Sequence, residues 1–137
     1  MLEKKTVAVL DENLSLGIAF NTLAHLAISI GKNATGIMGK GELKDASGVI
    51  HRGLSKYPII ILKANSDKIR QIVNEAKENT ELLVVGFPEQ AQTEYTDEEL
   101  HATIAKTKEE NIKYYGVAMF GQVEEINKLT KKLSLWK

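Results

Sequence analysis

The feature that most constrains the fold is an alternation of short apolar runs with longer helical patterns. Four runs rich in β-branched residues predict strands, namely Thr6 to Leu10, Pro58 to Lys63, Leu82 to Gly86 and Tyr114 to Phe120. Helical periodicity occupies most of the chain between and after them. Strands that alternate with helices predict a three-layer α/β sandwich around a largely parallel sheet.

The helical patterns have recognisable bounds. They cover Gly17 to Ile30, Ser66 to Glu78, a segment from the capping-box pair Thr96 and Glu99 to about Lys108, and a last amphipathic helix marked by Val123, Ile126, Leu129 and Leu133. The stretch from Lys32 to Tyr57 is dotted with glycines and lacks periodicity, so we expect a long excursion there.

Length and charge restrict the classes of function. The 137 residues fit one domain spanning residues 1–137, and 18 basic residues balance 18 acidic ones. This balance disfavours nucleic acid as a partner. There is no cysteine, which removes thiol catalysis and disulfides. No apolar run approaches the roughly 20 residues that span a bilayer, so we expect a cytoplasmic protein without a membrane partner.

The first helix is unusually apolar. Winding Gly17 to Gly31 at the helical period gathers the polar side chains into one narrow stripe, made of Asn21, Thr22, His25 and Ser29. Apolar side chains cover the rest, so the helix is expected to be covered on more than one side, by the sheet plus a neighbouring helix or a second subunit. We therefore expect Phe20, Leu23 and Ala27 to be nearly inaccessible and the protein to form a homodimer.

Candidate site residues follow the strands. Asp11 comes directly after the first strand and Asn65 after the second, where open α/β sheets present their ligands. Asn21 and His25 lie one helical turn apart on the polar stripe. Asp11 and His25 are the candidate catalytic residues, and Asn21 and Asn65 are candidate binding residues. The alternatives are that Asp11 binds turn amides, Ser66 caps a helix and His25 is a structural or solvated histidine.

The excursion adds two more candidate binding residues, Asp45 and His51. Asp45-Ala46-Ser47-Gly48 suits a tight turn, and the excursion is long enough to fold over the site as a lid. The glycines from Gly36 to Gly41 lack the spacing of a phosphate-binding loop. The three histidines lack the close pairing of a zinc helix site, so neither a metal nor a cofactor is predicted.

Taken together, several of these segments look familiar. They resemble a bacterial family of unknown function, the domain-of-unknown-function family numbered two thousand, in these stretches: Val7 to Asp11, Asn13 to Gly17, Asn21 to Ala27, Asp45 to Gly48, His51 to Ser55 and Pro58 to Leu62. That family is similar in fold to the type II peptidyl-tRNA hydrolases. The resemblance implies a four-stranded mixed sheet between helices, often in a dimer, and hence an α/β/α sandwich with a mostly parallel four-stranded sheet.

The sequence also departs from those hydrolases. If His25-Leu26 matches their His-Ala pair, the Lys-Gly-Lys pattern that contributes to their tRNA site is replaced by Leu16, Gly17 and Ile18. Aliphatic groups cannot hold a phosphate as lysines do. Their Gly-Arg-Thr-Gln-type loop looks replaced by a charged helix around Asp97 to Glu110.

Two functions from different classes follow. The first is a module that binds an unidentified small molecule or acts in regulation, with no chemistry of its own. The alternative is a hydrolase in which Asp11 or His25 acts as general base on a water while Asn21 polarises the substrate, with peptidyl-tRNA as a less favoured substrate.

Overall fold

A computed structural model describes residues 3–137 of the chain. Its main sheet has five strands in the order β5-β6-β1-β4-β7. The strands of this sheet are β1 (Lys4–Asp11), β4 (Ile59–Ala64), β5 (Leu83–Pro88), β6 (Tyr114–Gln122) and β7 (Ser134–Leu135). The first four coincide with the four apolar runs, because a strand buried on both faces needs a nearly continuous apolar sequence.

The sheet is mixed, and the prediction of four mostly parallel strands is wrong in two respects. β1 pairs in parallel with β4, whereas β6 pairs antiparallel with both β1 and β5, and β7 antiparallel with β4. A strand parallel to β5 would need a crossover that returns the chain to the end of the sheet where β5 begins. Instead, β6 starts beside the end of β5, where Pro88 pairs with Tyr114, and must run back.

The fifth strand was missed because it is too short for a periodic pattern. The last helix ends at Leu129, not near Leu133, and the chain turns at Lys132, whose φ of 67° is left-handed. After this turn Leu135 pairs with Leu62. Two residues carry too little alternation to be distinguished from a loop.

Helices pack on both faces of the sheet. They are α1 (Leu16–Asn33), α2 (Ser66–Lys77), α3 (Gln90–Thr93), α4 (Asp97–Ala105) and α5 (Val123–Leu129). Because side chains alternate along β1, Val7 and Val9 belong to one apolar cluster together with residues of α2 and α5, while Ala8 and Leu10 belong to another together with residues of α1. We call the first the closed face and the second the open face.

The predicted burial of the first helix is wrong. Ala19, Thr22, Leu26 and Ile30 are its buried residues. In contrast, Phe20 is 59% exposed, Ala27 is exposed and Leu23 is only half-buried. The strip that faces the sheet follows the i, i+3, i+4 spacing of one helix side, and α1 packs chiefly on β5, β6 and β1. Thr22, placed on the polar stripe by its chemistry, lies in this buried strip.

The excursion forms a two-stranded hairpin of β2 (Glu42–Lys44) and β3 (Ile50–Arg52). Asp45 closes it, since its Oδ1 accepts hydrogen bonds from the backbone N–H of Ser47 at 2.9 Å and of Val49 at 3.0 Å. Gly48 has a φ of 86°, which favours glycine in a hairpin turn. The predicted tight turn is therefore confirmed.

Candidate functional site

The carboxyl ends of β1, β4 and β5 lie at one edge of the sheet, because these three strands run in the same direction. Asp11 ends β1, Asn65 follows β4 and Pro88 ends β5. The order and directions of the strands therefore bring the predicted residues Asp11 and Asn65 to the carboxyl edge, where α/β folds present ligands.

Asp11 is 2% exposed and organises the turn after β1. Its Oδ1 accepts a hydrogen bond from the backbone N–H of Asn13 at 2.9 Å, and its backbone carbonyl accepts one from Leu14 N–H at 3.2 Å. The Oδ2 atom receives no hydrogen bond from the residues that the structure describes. Asp11 therefore binds a turn amide, which was the alternative given for it in the sequence analysis, and Oδ2 remains without a partner among the described residues.

His25 lies in α1 and is exposed to solvent. Its ring is tilted against the ring of Phe87, with 5.5 Å between centroids. Within residues 3–137, neither ring nitrogen is in a hydrogen bond, and Asn21, one turn earlier, is also exposed. His25 is therefore not a structural histidine satisfied by backbone carbonyls, and its ring nitrogens have no hydrogen-bond partner in the described part of the chain.

Tyr115 was missed by the sequence reasoning, and like His25 it contacts the ring of Phe87. In β6, Gly116 pairs with Phe87 and Tyr114 with Pro88, so Tyr115 is the extra residue of a β-bulge. The bulge places Tyr115 on the open face, where its ring stacks on Phe87 at 6.4 Å. Burial, then the Glu89 carboxylate and the charge of Asp11, raise the pKa of Tyr115. No hydrogen bond joins Asp11 to His25 in the described part of the chain.

The other three predicted binding residues have local roles. Asn65, not Ser66, is the N-cap of α2, and its Oδ1 accepts a hydrogen bond from Lys68 N–H at 2.8 Å. Asp45 and His51 face each other across the hairpin, with Oδ2 and Nε2 2.9 Å apart. That hydrogen bond and the Val49 amide lower the pKa of Asp45.

The hairpin does not act as a lid on the carboxyl edge. It leaves the sheet at the opposite end, where Thr6 pairs with Ile59, and its two strands pack chiefly against each other. Asp45 and His51 are exposed there. The expectation that one of them reaches Asp11 and His25 fails because α1 spans the sheet and delivers the excursion to the far edge.

A cavity of about 190 Å³ lies at that far edge, between α1, the sheet and the base of the hairpin. Its floor is buried and comes from β1, β6, α1 and the start of the excursion: Thr6, Ala8, Leu26, Ile30, Ile37 and Ala118. Its rim is half-buried or exposed: Leu23, Ala27, Gly31, Met38, Ser55 and Ile59. The lining carries no charged side chain.

Two hydroxyl groups meet this apolar lining in different ways. Ser55 Oγ donates to the Tyr57 carbonyl at 2.9 Å and accepts from Tyr57 N–H at 3.2 Å. Thr6 is 3% exposed, and its Oγ1 has no hydrogen-bond partner among the described residues. The sequence could not predict this unpaired hydroxyl, because threonine is common in strands and its hydrogen bonding depends on the residues that pack against it in the fold.

Neither a metal site nor a membrane span is found in residues 3–137. No group of three or more His, Cys, Asp or Glu side chains is arranged to hold a metal ion in this range. No helix in the same range is long and apolar enough to cross a bilayer.

A family model described as a protein of unknown function, DUF2000, matches residues 4–137. The chain belongs to the DUF2000 family. The family resemblance seen in the sequence is thereby confirmed. No curated protein matches this DUF2000 member.

Among solved structures, a protein of unknown function from Agrobacterium tumefaciens strain C58 is similar to this DUF2000 member. The two are 20% identical over 100% of both chains, with a TM-score of 0.88. At this identity the likeness shows a shared fold and carries no activity with it.

Proposed function

We propose that this DUF2000 member is a small-molecule-binding module whose ligand occupies the cavity at the hairpin base. The observation that carries the proposal is an opening of about 190 Å³ with a buried apolar floor. Ligand sites are typically concave and mostly apolar, with few polar groups. A close-packed interior leaves few voids larger than a water molecule, so an opening of this size offers room for a small molecule.

The cavity favours binding over chemistry. None of its lining residues is an acid, a base or an activated nucleophile, and general acid–base catalysis needs a titratable group within hydrogen-bond reach. The fit of an uncharged molecule follows from the same lining, since burying a charge without a partner is costly.

Benzene is a suitable probe, because apolar cavities of similar size bind it. We expect saturable NMR shifts of the Leu26 and Ile30 methyl groups when benzene is added to the unmodified chain. Ala27→Phe places a ring at the exposed rim and should abolish saturation. The matched control is Ala24→Phe, on the same helix but outside the lining.

Two results would overturn the proposal. One is the absence of saturable shifts in the unmodified chain. The other is equal benzene binding by Ala27→Phe and the control.

The second candidate function is a hydrolase at the carboxyl edge, favoured by the unpaired and exposed imidazole of His25. In this proposal His25 or Asp11 is the general base that activates a water, with Asn21 and Asn65 as binding residues at the same edge. Asp45 and His51 lie at the hairpin and are not needed for this reaction.

A simple ester, p-nitrophenyl acetate, tests the second candidate. Hydrolysis above the buffer rate should fall about 10²- to 10⁴-fold in His25→Ala. The control is His101→Ala, which removes another exposed histidine. Equal effects of the two substitutions would exclude His25 as the base.

The likeness to the type II peptidyl-tRNA hydrolases is proposed to extend to the fold and not to tRNA. The start of α1 presents Leu16, 56% exposed, where those enzymes are expected to carry a lysine. We expect no specific tRNA binding at physiological salt, because phosphate contacts dominate such binding. Submicromolar binding by the unmodified chain would refute this, and Leu16→Lys with Ile18→Lys should strengthen binding.

A homodimer is also proposed, supported by apolar side chains on the outer side of α1. Phe20 is 59% exposed and Ile28 is 72% exposed, and a contiguous apolar patch is typical of an interaction surface. Light scattering should give twice the chain mass, and Ile28→Lys should return it to the monomer. A monomer mass for the unmodified chain contradicts the proposal.

A further inference from the structure

The Thr6 hydroxyl is a buried polar group that makes no hydrogen bond in the described part of the chain. It is buried, lies among the residues that line the cavity, and has no partner within residues 3–137. The backbone N–H of Thr6 is already used, since it donates to the Pro58 carbonyl at 3.0 Å. Buried polar atoms without a hydrogen bond are rare in folded proteins, and each calls for a specific explanation.

Ser55, the other hydroxyl of the lining, already donates its proton to the Tyr57 carbonyl and accepts a hydrogen bond from Tyr57 N–H. Thr22 has the second buried hydroxyl without a partner in the described part of the chain, but it is not in the cavity lining. Thr6 is therefore the one lining hydroxyl in the described structure whose proton and lone pairs are all without a partner.

From these contacts we infer that the cavity selects a small uncharged molecule that carries one hydrogen-bonding group, which pairs with Thr6 Oγ1. The inference rests on the proposed binding function and adds the ligand class. A hydroxyl both donates and accepts, so an alcohol, a phenol or a ketone meets the requirement. A carboxylate, phosphate or ammonium does not, because no charged partner lines the cavity.

Toluene and phenol test the inference, because they differ by a methyl against a hydroxyl. The unmodified chain and the variant Thr6→Val differ by the same exchange, a hydroxyl for a methyl. Valine keeps the β-branched shape that suits a strand. Dissociation constants are measured by NMR titration for both probes in both proteins. The change in the ratio of toluene to phenol dissociation constants between the two proteins then reports the value of the hydrogen bond to Thr6.

We expect this ratio to fall about 2- to 10-fold on going from the unmodified chain to Thr6→Val. Thr6→Ser retains the hydroxyl and should retain the preference for phenol, which guards against a loss caused by altered packing. An unchanged ratio in Thr6→Val overturns the inference while toluene binding still supports the cavity. Binding of neither probe, including the case of a dimer that closes the cavity, overturns the proposed function as well.

Discussion

The two faces of the sheet are covered to different extents. On the closed face, α2 and α5 lie side by side, and Ile69, Ile72, Val73 and Ile126 are all inaccessible. On the open face α1 is the only long helix among the described residues, and it packs mainly on β6 and β5 and less on β1. A helix with side chains is roughly 10 Å across and strands are about 4.8 Å apart, so one helix covers about two strands. The base of the hairpin and the end of the chain cover the rest of the open face, where Ile37, Tyr57 and Trp136 belong to the apolar cluster.

This difference separates stability from candidate function. The closed face has an apolar core cluster and no candidate site. The open face has the cavity, the Tyr115 bulge and the exposed imidazole of His25. Sites are found where packing is incomplete, because a ligand needs space that a close-packed core does not leave.

The largest expected contrast is between a helix residue of each face. Ile72→Ala removes a side chain that is 0% exposed and should lower the free energy of unfolding by about 2–5 kcal/mol through lost burial and a cavity. Phe20→Ala, on the outer side of α1, should cost less than about 1 kcal/mol in the monomer. Urea unfolding measures both, and equal losses would mean that the open face is covered.

Gly116 gives the next largest effect, because side chains of β1 and α1 pack closely against it. A Cβ on Gly116 would lie 3.0 Å from Leu10 Cδ2 and 3.1 Å from Thr22 Cγ2. Gly116→Ala should therefore cost about 1–3 kcal/mol through overpacking.

Gly31→Ala is the matched control for this contact. A Cβ on Gly31 would meet nothing within 4 Å, and Gly31 lies inside α1. Gly31→Ala should therefore raise the free energy of unfolding by about 0.5–1 kcal/mol. A neutral Gly116→Ala would show that α1 moves freely on the sheet.

The elements were predictable from the sequence, but their orientation was not. The four long strands and the Thr96 cap, whose Oγ1 accepts from Glu99 N–H at 3.1 Å, follow from local rules. The rotation of α1 about its axis does not follow from local rules. Most of the circumference of this helix is apolar, so several of its sides could pack on a sheet. Phe20 was therefore predicted buried when Thr22 occupies the buried strip.

The candidate site was predictable only in part, for a similar reason. Position after a strand brought Asp11 and Asn65 to the carboxyl edge, a rule that depends on topology alone. Tyr115 was missed because a bulge exchanges the faces of neighbouring residues, and period-two alternation has no way to indicate it. The cavity lining was missed because residues remote in sequence, such as Thr6, Ala27 and Ile59, meet only in the fold.

A pH experiment tests Tyr114, the residue of the bulge that faces the closed side of the sheet. Tyr114 lies on the closed face and donates to Glu109 Oε2 at 3.0 Å. Burial, with the Glu109 hydrogen bond and charge, raises the pKa of Tyr114 to about 12 from 10.0. The folded state then holds this proton more tightly than the unfolded state, so its stabilisation is full below pH 10 and is lost between pH 10 and about 12.

The expected loss at pH 11 is about 1.4 kcal/mol, the value of one pKa unit. Tyr114→Phe removes the titrating group, so the difference between the two unfolding profiles isolates it from other groups. Parallel profiles between pH 9 and 11 would contradict the raised pKa of Tyr114.

The smallest expected effect concerns Thr22, which tests how closely the buried strip of α1 resembles the closed face. Thr22 is 0% exposed and its Oγ1 has no hydrogen-bond partner in the part of the chain that the structure describes. Thr22→Val keeps the shape and replaces the unpaired hydroxyl with a methyl, and the two residues have similar helix propensities. We expect unchanged stability or a gain of up to about 1 kcal/mol in urea unfolding, because the substitution removes a desolvated group and no bond. Thr96→Val is the matched control, since it deletes an N-cap hydroxyl that is in use and should cost about 1 kcal/mol. A loss in Thr22→Val as large as in the control would mean that the Thr22 hydroxyl is hydrogen-bonded in solution, and that the strip of α1 facing the sheet is polar where the closed face is not.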